Sequence, residues 1–132
     1  MIDRSYRRRF GQNYLRDKSV IYQIVDKINP GKEDSFIEIG PGQGAITGGI
    51  RNNSKNLTLI EIDKENVSYL KNSLGDEIEI FEEDVLKIDL SFIKNNDRIV
   101  GNLPYNVASQ IILRFLESVS YTHLRAHETV YN

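Results

Sequence analysis

The spacing of apolar residues along the chain predicts a mixture of helices and strands. Between Asp17 and Ile28, apolar residues recur at positions i, i+1, i+4, i+5 and i+8, which is typical of an amphipathic helix. The segment 29–31, Asn-Pro-Gly, ends this helix, because proline cannot continue the hydrogen-bond ladder and glycine accepts a positive φ. Four short runs rich in β-forming residues follow, and they predict strands over residues 35–39, 57–62, 77–81 and 98–100.

Helices are predicted between and after these strands. Residues 64–74 form one, ended by Gly75, and residues 108–117 form another. A shorter helix is predicted over residues 45–51, although it contains the pair Gly48-Gly49, and each glycine costs about 1 kcal/mol relative to alanine. Strands that alternate with helices in this way are typical of an α/β fold with a parallel, doubly wound sheet.

Composition places the chain among globular proteins with one core. Of its 132 residues, 39% are hydrophobic and 27% are charged. The absence of cysteine excludes disulfide scaffolds, thiol nucleophiles and cysteine-bound zinc. No apolar run approaches the roughly 20 residues of a membrane-spanning helix, and the first residues contain no apolar signal segment. We therefore expect a cytoplasmic protein with no membrane partner.

Positive charge is concentrated at the amino terminus. Residues 1–18 form a basic arm with a net charge of +4, although the whole chain carries −2. Aromatic residues are interspersed with the arginines, so the arm can neutralise phosphates and offer ring faces to unpaired bases. A solvated terminus without a partner is the alternative, and the arm alone does not distinguish the two.

The segment 118–132 does not continue the apolar pattern. It contains His123 and His127, which are four positions apart and would share one helix face. The zinc metalloprotease motif needs a glutamate directly after the first histidine, where this chain has Leu124, and a third ligand is unassigned, so we expect no metal site. The segment resembles translated sequencing-adapter DNA, and we expect the native sequence to end near residues 117–119.

A glycine-rich segment follows the first predicted strand. Residues 38–44 are Glu-Ile-Gly-Pro-Gly-Gln-Gly, and they open the next predicted helix. Glycines such as Gly40 and Gly42 let a ligand approach the backbone, and a helix amino terminus offers free N–H donors. Ala45 departs from the dinucleotide-binding fingerprint, and no lysine follows as in a phosphate-binding loop. A tight turn without a ligand is the alternative.

Acidic residues follow the second and third predicted strands. An acid such as Glu61 at the end of the second strand accepts hydrogen bonds from ribose hydroxyls in nucleotide-binding sheets, and we prefer it to Asp63 for this role. The acidic segment 82–84, which ends in Asp84, can accept the amino hydrogens of an adenine. Solvated strand ends are the alternative at each position. Their coincidence at the carboxyl ends of successive strands predicts a ligand site.

The fourth predicted strand leads into Asn-Leu-Pro-Tyr. An aromatic amine such as adenine N6 is a poor nucleophile, because its lone pair is delocalised into the ring. The Asn102 side-chain oxygen and the Pro104 carbonyl could both accept from its N–H groups, and Tyr105 could stack on the base. The alternative is a turn in which the tyrosine is a half-buried anchor.

In their order, these motifs resemble those of the ribosomal RNA adenine dimethyltransferases, from about Arg8 to Glu117. The matching segments are residues 10–15 (Phe-Gly-Gln-Asn-Tyr-Leu), 38–44, 61, 83–86 and 101–106. The resemblance implies a Rossmann-like class I methyltransferase fold and S-adenosylmethionine as cofactor. It also implies an enzyme that transfers two methyl groups to N6 of each of two adjacent adenosines in small-subunit (16S) rRNA.

The resemblance also assigns roles to individual residues. Gly40 matches the contact to the methionine part of the cofactor, Glu61 matches the ribose ligand, and Asp84 matches the adenine ligand. Asn102, Pro104 and Tyr105 match the catalytic site for the target base. The complete set that matches cofactor contacts is Gln12, Asn13, Leu15, Gly40, Gly42, Glu61, Asp84 and Asn102.

Members of the family continue through three further strands and a helical domain, so the resemblance implies a sheet that stops after about four strands. We expect three regions: the arm at 1–18, an incomplete methyltransferase domain at 19–117 and a non-native tail at 118–132. The fourth strand would be an open edge. We expect a monomer whose partner is rRNA of the small ribosomal subunit.

Three alternatives remain open. The macrolide-resistance methyltransferases act on one adenosine of large-subunit rRNA, and Leu103 favours the small-subunit family because the sister group more often has isoleucine there. A non-catalytic RNA-binding or ribosome-assembly module is the second. A nicotinamide-dependent dehydrogenase is the third, disfavoured by Ala45 and by the absence of any histidine before His123.

Overall fold

The computed structural model describes residues 15–94 and 96–118. The expectations about Gln12, Asn13, both histidines and the tail therefore lie outside the described residues. The helices are α1 (Lys18–Ile28), α2 (Thr47–Asn52), α3 (Lys64–Leu74) and α4 (Tyr105–Ser118). The strands are β1 (Ser35–Ile39), β2 (Asn56–Ile60), β3 (Glu79–Phe81) and β4 (Arg98–Val100).

The strands form one parallel sheet in the order β3-β2-β1-β4. In this sheet Glu38 of β1 lies opposite Leu59 of β2 and Val100 of β4. The predicted α/β fold with a parallel sheet is thus confirmed. Because all four strands run in the same direction, their carboxyl ends lie at one edge, where open α/β sheets bind ligands.

Apolar residues cover both faces of the sheet. Ile37 and Ile39 of β1 pack with Ile111 and Phe115 of α4. On the opposite face, Phe36 belongs to a cluster with residues of α1 and α2. A parallel sheet needs this double cover, because its strands are apolar on both faces.

Helix α1 has a defined cap at each end. The Asp17 carboxylate accepts hydrogen bonds from the amides of Ser19 and Val20. At the other end, Asn29 has φ 49°, in the left-handed region. Arg98 of β4 donates to the carbonyl of Ile28 at 2.6 Å, which ties the end of α1 to the sheet.

Helix α2 begins two residues later than predicted. The residues before it form the turns of the glycine-rich loop, in which the Gly44 amide donates to the Pro41 carbonyl at 2.9 Å. Gly49 has a packing role: a Cβ placed there would lie 2.9 Å from Cγ1 of Val25 in α1. At Gly48, an added Cβ would have no atom within 4 Å, and nothing in the structure explains this glycine.

Other boundaries also differ from the pattern-based prediction. Strand β2 ends at Ile60, and Asp63 caps α3 by accepting from the amide of Glu65 at 2.9 Å. Helix α4 begins at Tyr105 rather than at residue 108, because the Pro104 carbonyl accepts hydrogen bonds from the amides of Val107 and Ala108 and so starts the helix early. Within the described ranges, no helix is both long and apolar enough to cross a membrane.

Candidate functional site

A cavity of about 300 Å³ opens at the carboxyl edge of the sheet. Segments that follow all four strands contribute to its wall. The residues that were predicted as ligand contacts and that line it are Leu15, Gly40, Gly42, Glu61, Asp84 and Asn102. The structure therefore brings six of the predicted site residues together around one space.

The glycine-rich loop bends sharply where it leaves β1. Gly40 has φ 65°, and a Cβ at this position would lie 3.1 Å from Cδ2 of Leu103. Only glycine adopts this conformation without strain, and its missing side chain lets the loop lie against the Asn-Leu-Pro-Tyr segment. The loop therefore packs directly against the segment that follows β4.

The amides of this loop are used within the protein. Gly40 donates to the Ile60 carbonyl at 2.9 Å, and Gly42 donates to Oε1 of Glu61 at 2.9 Å. The expectation that the loop offers free N–H donors is therefore wrong for these two glycines. The loop contributes a close backbone surface to the cavity, and the amides of Gly40 and Gly42 are not free there to bind an anion.

Glu61 connects the loop to the end of β2. The residue is 1% exposed, and its second oxygen, Oε2, accepts from the amide of Asp63 at 2.9 Å. Burial raises the pKa of Glu61, and the backbone hydrogen bonds oppose this shift. Asp63 instead caps α3 and is not among the residues that line the cavity, so the choice of Glu61 over Asp63 for a ribose stays a prediction.

Glu38 is a second buried carboxylate on the cavity wall, and the sequence analysis did not single it out. Oε1 accepts a 2.7 Å hydrogen bond from the hydroxyl of Thr47. Burial raises the pKa of Glu38 to about 7, and the nearby charge of Glu61 adds to the shift. An acid in an otherwise apolar strand was the available signal, because such a residue must be buried with a partner.

Asp84 begins a single helical turn after β3. Its side chain accepts from the amide of Leu86 at 2.9 Å, and its carbonyl accepts from the amides of Lys87 and Ile88. Val85 and Leu86 then line the cavity beside it. We call residues 84–88 the Asp84 turn. It presents a carboxylate and an apolar surface to the same space.

Asn102, which follows β4, lies on the wall of the cavity. Oδ1 of Asn102 is buried and has no hydrogen-bond partner among the described residues. A buried acceptor without a partner is costly, which points to a donor supplied by a ligand. Tyr105 is 73% exposed and is therefore not a half-buried anchor.

Pro104 differs from the expectation. Its carbonyl oxygen accepts from the amides of Val107 and Ala108 at 3.1 and 2.9 Å, in the first turn of α4. This carbonyl already accepts two hydrogen bonds in the helix, and Pro104 is not among the residues that line the cavity. Of the two acceptors predicted for an aromatic amine, the Asn102 oxygen is the one without a hydrogen-bond partner among the described residues, and the role of both stays a prediction.

In the described part of the chain, no three histidine or acidic residues are grouped so that they could hold a metal ion. The end of the basic arm does reach the cavity, since Leu15 and Arg16 line it. The site is therefore built from carboxylates, two amides, an arginine, a tyrosine and apolar walls.

Comparisons with known proteins agree with this architecture. The family model for ribosomal RNA adenine dimethylase matches residues 3–131. The ribosomal RNA small subunit methyltransferase A of Coxiella burnetii strain RSA 331 is 38% identical over 117 residues, which cover 86% of this chain. That of Leptothrix cholodnii is 39% identical over 118 residues.

Solved structures show the same fold. The 23S rRNA methyltransferase ErmE has a TM-score of 0.67 and 28% identity, over 80% of this chain and 43% of that one. A dimethyladenosine transferase from Plasmodium falciparum has a TM-score of 0.67 and 23% identity, over 80% of this chain and 38% of that one. The chain spans 45% of the Coxiella relative and 43% of the Leptothrix relative. From the family match and these identities, the chain belongs to the ribosomal RNA adenine dimethylase family.

Proposed function

We propose that this chain is the cofactor-binding part of an enzyme that transfers methyl groups from S-adenosylmethionine to N6 of two adjacent adenosines in small-subunit rRNA. The observation that carries the proposal is Oδ1 of Asn102, which has no hydrogen-bond partner in the described part of the chain and is buried at a cavity that Glu61 and Asp84 also line. The names of the relatives support the substrate, since they are small-subunit rRNA methyltransferases.

The residues around the cavity fit S-adenosylmethionine. We assign the ribose hydroxyls to Glu61 and the adenine to Asp84 with the apolar surface of Val85 and Leu86, because carboxylates accept from hydroxyl and amino groups while apolar side chains cover a ring. The methionine part is assigned to the loop at Gly40, where the backbone allows a close approach. When bound, this cofactor supplies a methyl group already activated by its positive sulfur.

The same geometry disfavours a dinucleotide. A pyrophosphate is usually bound by free amides of a glycine-rich loop at a helix amino terminus. Here the amides of Gly40 and Gly42 donate to protein acceptors. A cofactor without phosphate suits this loop better.

The chain's contribution to the reaction is positional and electrostatic. Oδ1 of Asn102 would accept a hydrogen bond from one N–H of the target adenosine's amine. This contact draws the nitrogen toward tetrahedral geometry and localises its lone pair. The exposed ring of Tyr105 would stack on the extruded base. Orientation and fixed dipoles supply the acceleration. Once the nitrogen carries the new methyl group it is cationic, and its proton would pass to water, so a general base is not required.

Cofactor binding by the 132-residue chain is the first test. Titration calorimetry with S-adenosylmethionine should give a binding isotherm, whereas NAD should give none. Heat from NAD alone would instead support the dehydrogenase interpretation. Binding of rRNA without binding of S-adenosylmethionine would support a non-catalytic RNA-binding module.

The large-subunit alternative is kept because ErmE is 28% identical and is a 23S rRNA methyltransferase. Radiolabelled S-adenosylmethionine should be offered with small-subunit particles and, separately, with protein-free large-subunit rRNA. We expect label in the small-subunit particles. Label confined to the large-subunit rRNA would reverse the substrate assignment.

A monomer is proposed, and sedimentation of the chain alone tests it.

A further inference from the structure

Arg114 of α4 connects that helix to the Asp84 turn. Its Nη1 donates to the carbonyl of Val85 at 2.7 Å, and its Nη2 donates to the carbonyl of Ile88. The two acceptors are 29 and 26 positions away along the chain. One guanidinium therefore joins two separate parts of the fold at two points.

The Asp84 turn is closed by its own hydrogen bonds. The Asp84 side chain and carbonyl accept from the amides of residues 86, 87 and 88. The planar fork of an arginine gives two donors in fixed directions, which a lysine cannot reproduce. A tether to two carbonyls of this turn therefore fixes both its position and its orientation.

The two elements that Arg114 joins, the Asp84 turn and α4, both line the cavity. The turn contributes Asp84, Val85 and Leu86, and the facing side of α4 contributes Val107 and Ile111. The spacing between these two walls decides whether a flat ring fits between them. Helix α4 itself is held by core residues such as Phe115, which is 1% exposed, so its place in the fold does not depend on the tether.

We propose that Arg114 is a positioning residue, which sets the Asp84 turn at the correct distance from α4 to hold the cofactor's adenine. The inference rests on the proposed function, since it assigns the adenine to this part of the cavity. Arg114 acts through the turn and is not itself on the cavity wall. Its effect is therefore on affinity for the cofactor, and on the mobility of the turn before any cofactor is bound.

Three variants of the 132-residue chain test this. Arg114→Lys keeps the charge and loses the fork, and Arg114→Met keeps most of the side-chain packing and loses both donors. Arg98→Lys is the matched control, because Arg98 also donates to carbonyls at a helix end, those of Ile28 and Asn29, but away from the cavity. Amide hydrogen exchange without cofactor and calorimetry with S-adenosylmethionine are measured for each.

In both Arg114 variants we expect exchange at the amides of Leu86, Lys87 and Ile88 to accelerate roughly tenfold, and the Kd for S-adenosylmethionine to rise roughly tenfold, as for the loss of one or two hydrogen bonds. Arg98→Lys should lower the melting temperature and leave both quantities within about twofold of the wild type.

Unchanged exchange at these three amides would overturn the tether. Faster exchange with an unchanged Kd would overturn the positioning role. If Arg98→Lys raised the Kd as much as the Arg114 variants do, general destabilisation would explain the weaker binding. This result would also overturn the inference. If the unmodified chain does not bind S-adenosylmethionine, the proposed function fails and the cofactor role of Arg114 fails with it, while the exchange data still decide whether the tether exists.

Discussion

Gly49 of α2 and Val25 of α1 are in such close contact that a Cβ on the glycine would lie 2.9 Å from Cγ1 and 3.0 Å from Cγ2 of the valine. Real Cβ atoms do not approach a neighbour so closely, so the Val25 side chain or one of the two helices would have to shift. The preceding residue, Gly48, has open space around the same point. Two adjacent glycines in one short helix thus have different surroundings.

This difference predicts opposite effects of alanine. Gly48→Ala should raise the free energy of unfolding by about 0.5–1 kcal/mol, because alanine loses less conformational entropy in a helix. Gly49→Ala should lower it by about 1 kcal/mol, because the cost of overpacking against Val25 exceeds the gain in helix propensity. Urea denaturation followed by circular dichroism measures both. Equal stabilisation by the two substitutions would contradict the close contact of α1 and α2.

The buried carboxyl group of Glu38 should make the stability of the fold depend on pH. Its pKa is raised from 4.5 to about 7 in the folded chain, mainly by burial. Between these two values the folded state binds more protons than the unfolded state, so stability is greatest at low pH and falls as the pH rises through about 7. Burial also raises the pKa of Glu61, and this shift likewise lowers stability as the pH rises.

We therefore expect the free energy of unfolding to fall by up to about 3 kcal/mol between pH 5 and pH 8. Glu38→Gln keeps an oxygen for the Thr47 hydroxyl and has no charge to bury, so its profile should be flatter and its stability at pH 8 higher. Glu33→Gln, at an exposed position, is the control and should keep the wild-type slope. Denaturant titrations across this pH range give the result. A slope that survives in Glu38→Gln would show that another group causes it.

The pattern of apolar residues and glycines was enough to predict the bounds of an element wherever residues within that element determine them. Strand β1 and helix α3 have the predicted bounds, since an apolar run defines the first and Gly75 ends the second. Helices α2 and α4 were misplaced at their starts. In both cases a backbone hydrogen bond with the preceding loop decides the first turn, and residue type alone does not reveal it.

The site shows the same division. Glu61, Asp84 and Asn102 lie within three residues of the ends of β2, β3 and β4, so their convergence at one edge of the sheet could be predicted from topology. Glu38 and Arg114 could not be found in this way. The role of Glu38 depends on the burial of its strand and on Thr47, nine residues later. That of Arg114 depends on carbonyls at least 26 residues away.

Asn102 is expected to contribute to function rather than to stability. Its buried Oδ1 makes no hydrogen bond within the described residues, so Asn102→Ala should leave the free energy of unfolding within about 1 kcal/mol of the wild type. Methyl transfer to small-subunit particles should nevertheless fall by about 100-fold or more, because the acceptor for the target amine is lost. Asn106→Ala, exposed in the first turn of α4, is the control. Undiminished dimethylation by Asn102→Ala would falsify the proposed role.

Glu61 should be needed both for the shape of the loop and for the cofactor. Its two oxygens accept from the amides of Gly42 and Asp63, so in Glu61→Gln one of these amides must face an NH2 group instead of an acceptor. This should cost about 1–3 kcal/mol of stability and weaken S-adenosylmethionine binding by about tenfold or more. Glu79→Gln is the matched control, since Glu79 accepts from the Thr58 hydroxyl at an exposed site in the sheet. Denaturation and calorimetry on both variants separate the two effects. If Glu61→Gln lost stability but bound the cofactor with wild-type affinity, Glu61 would hold the loop and the ribose would have another ligand.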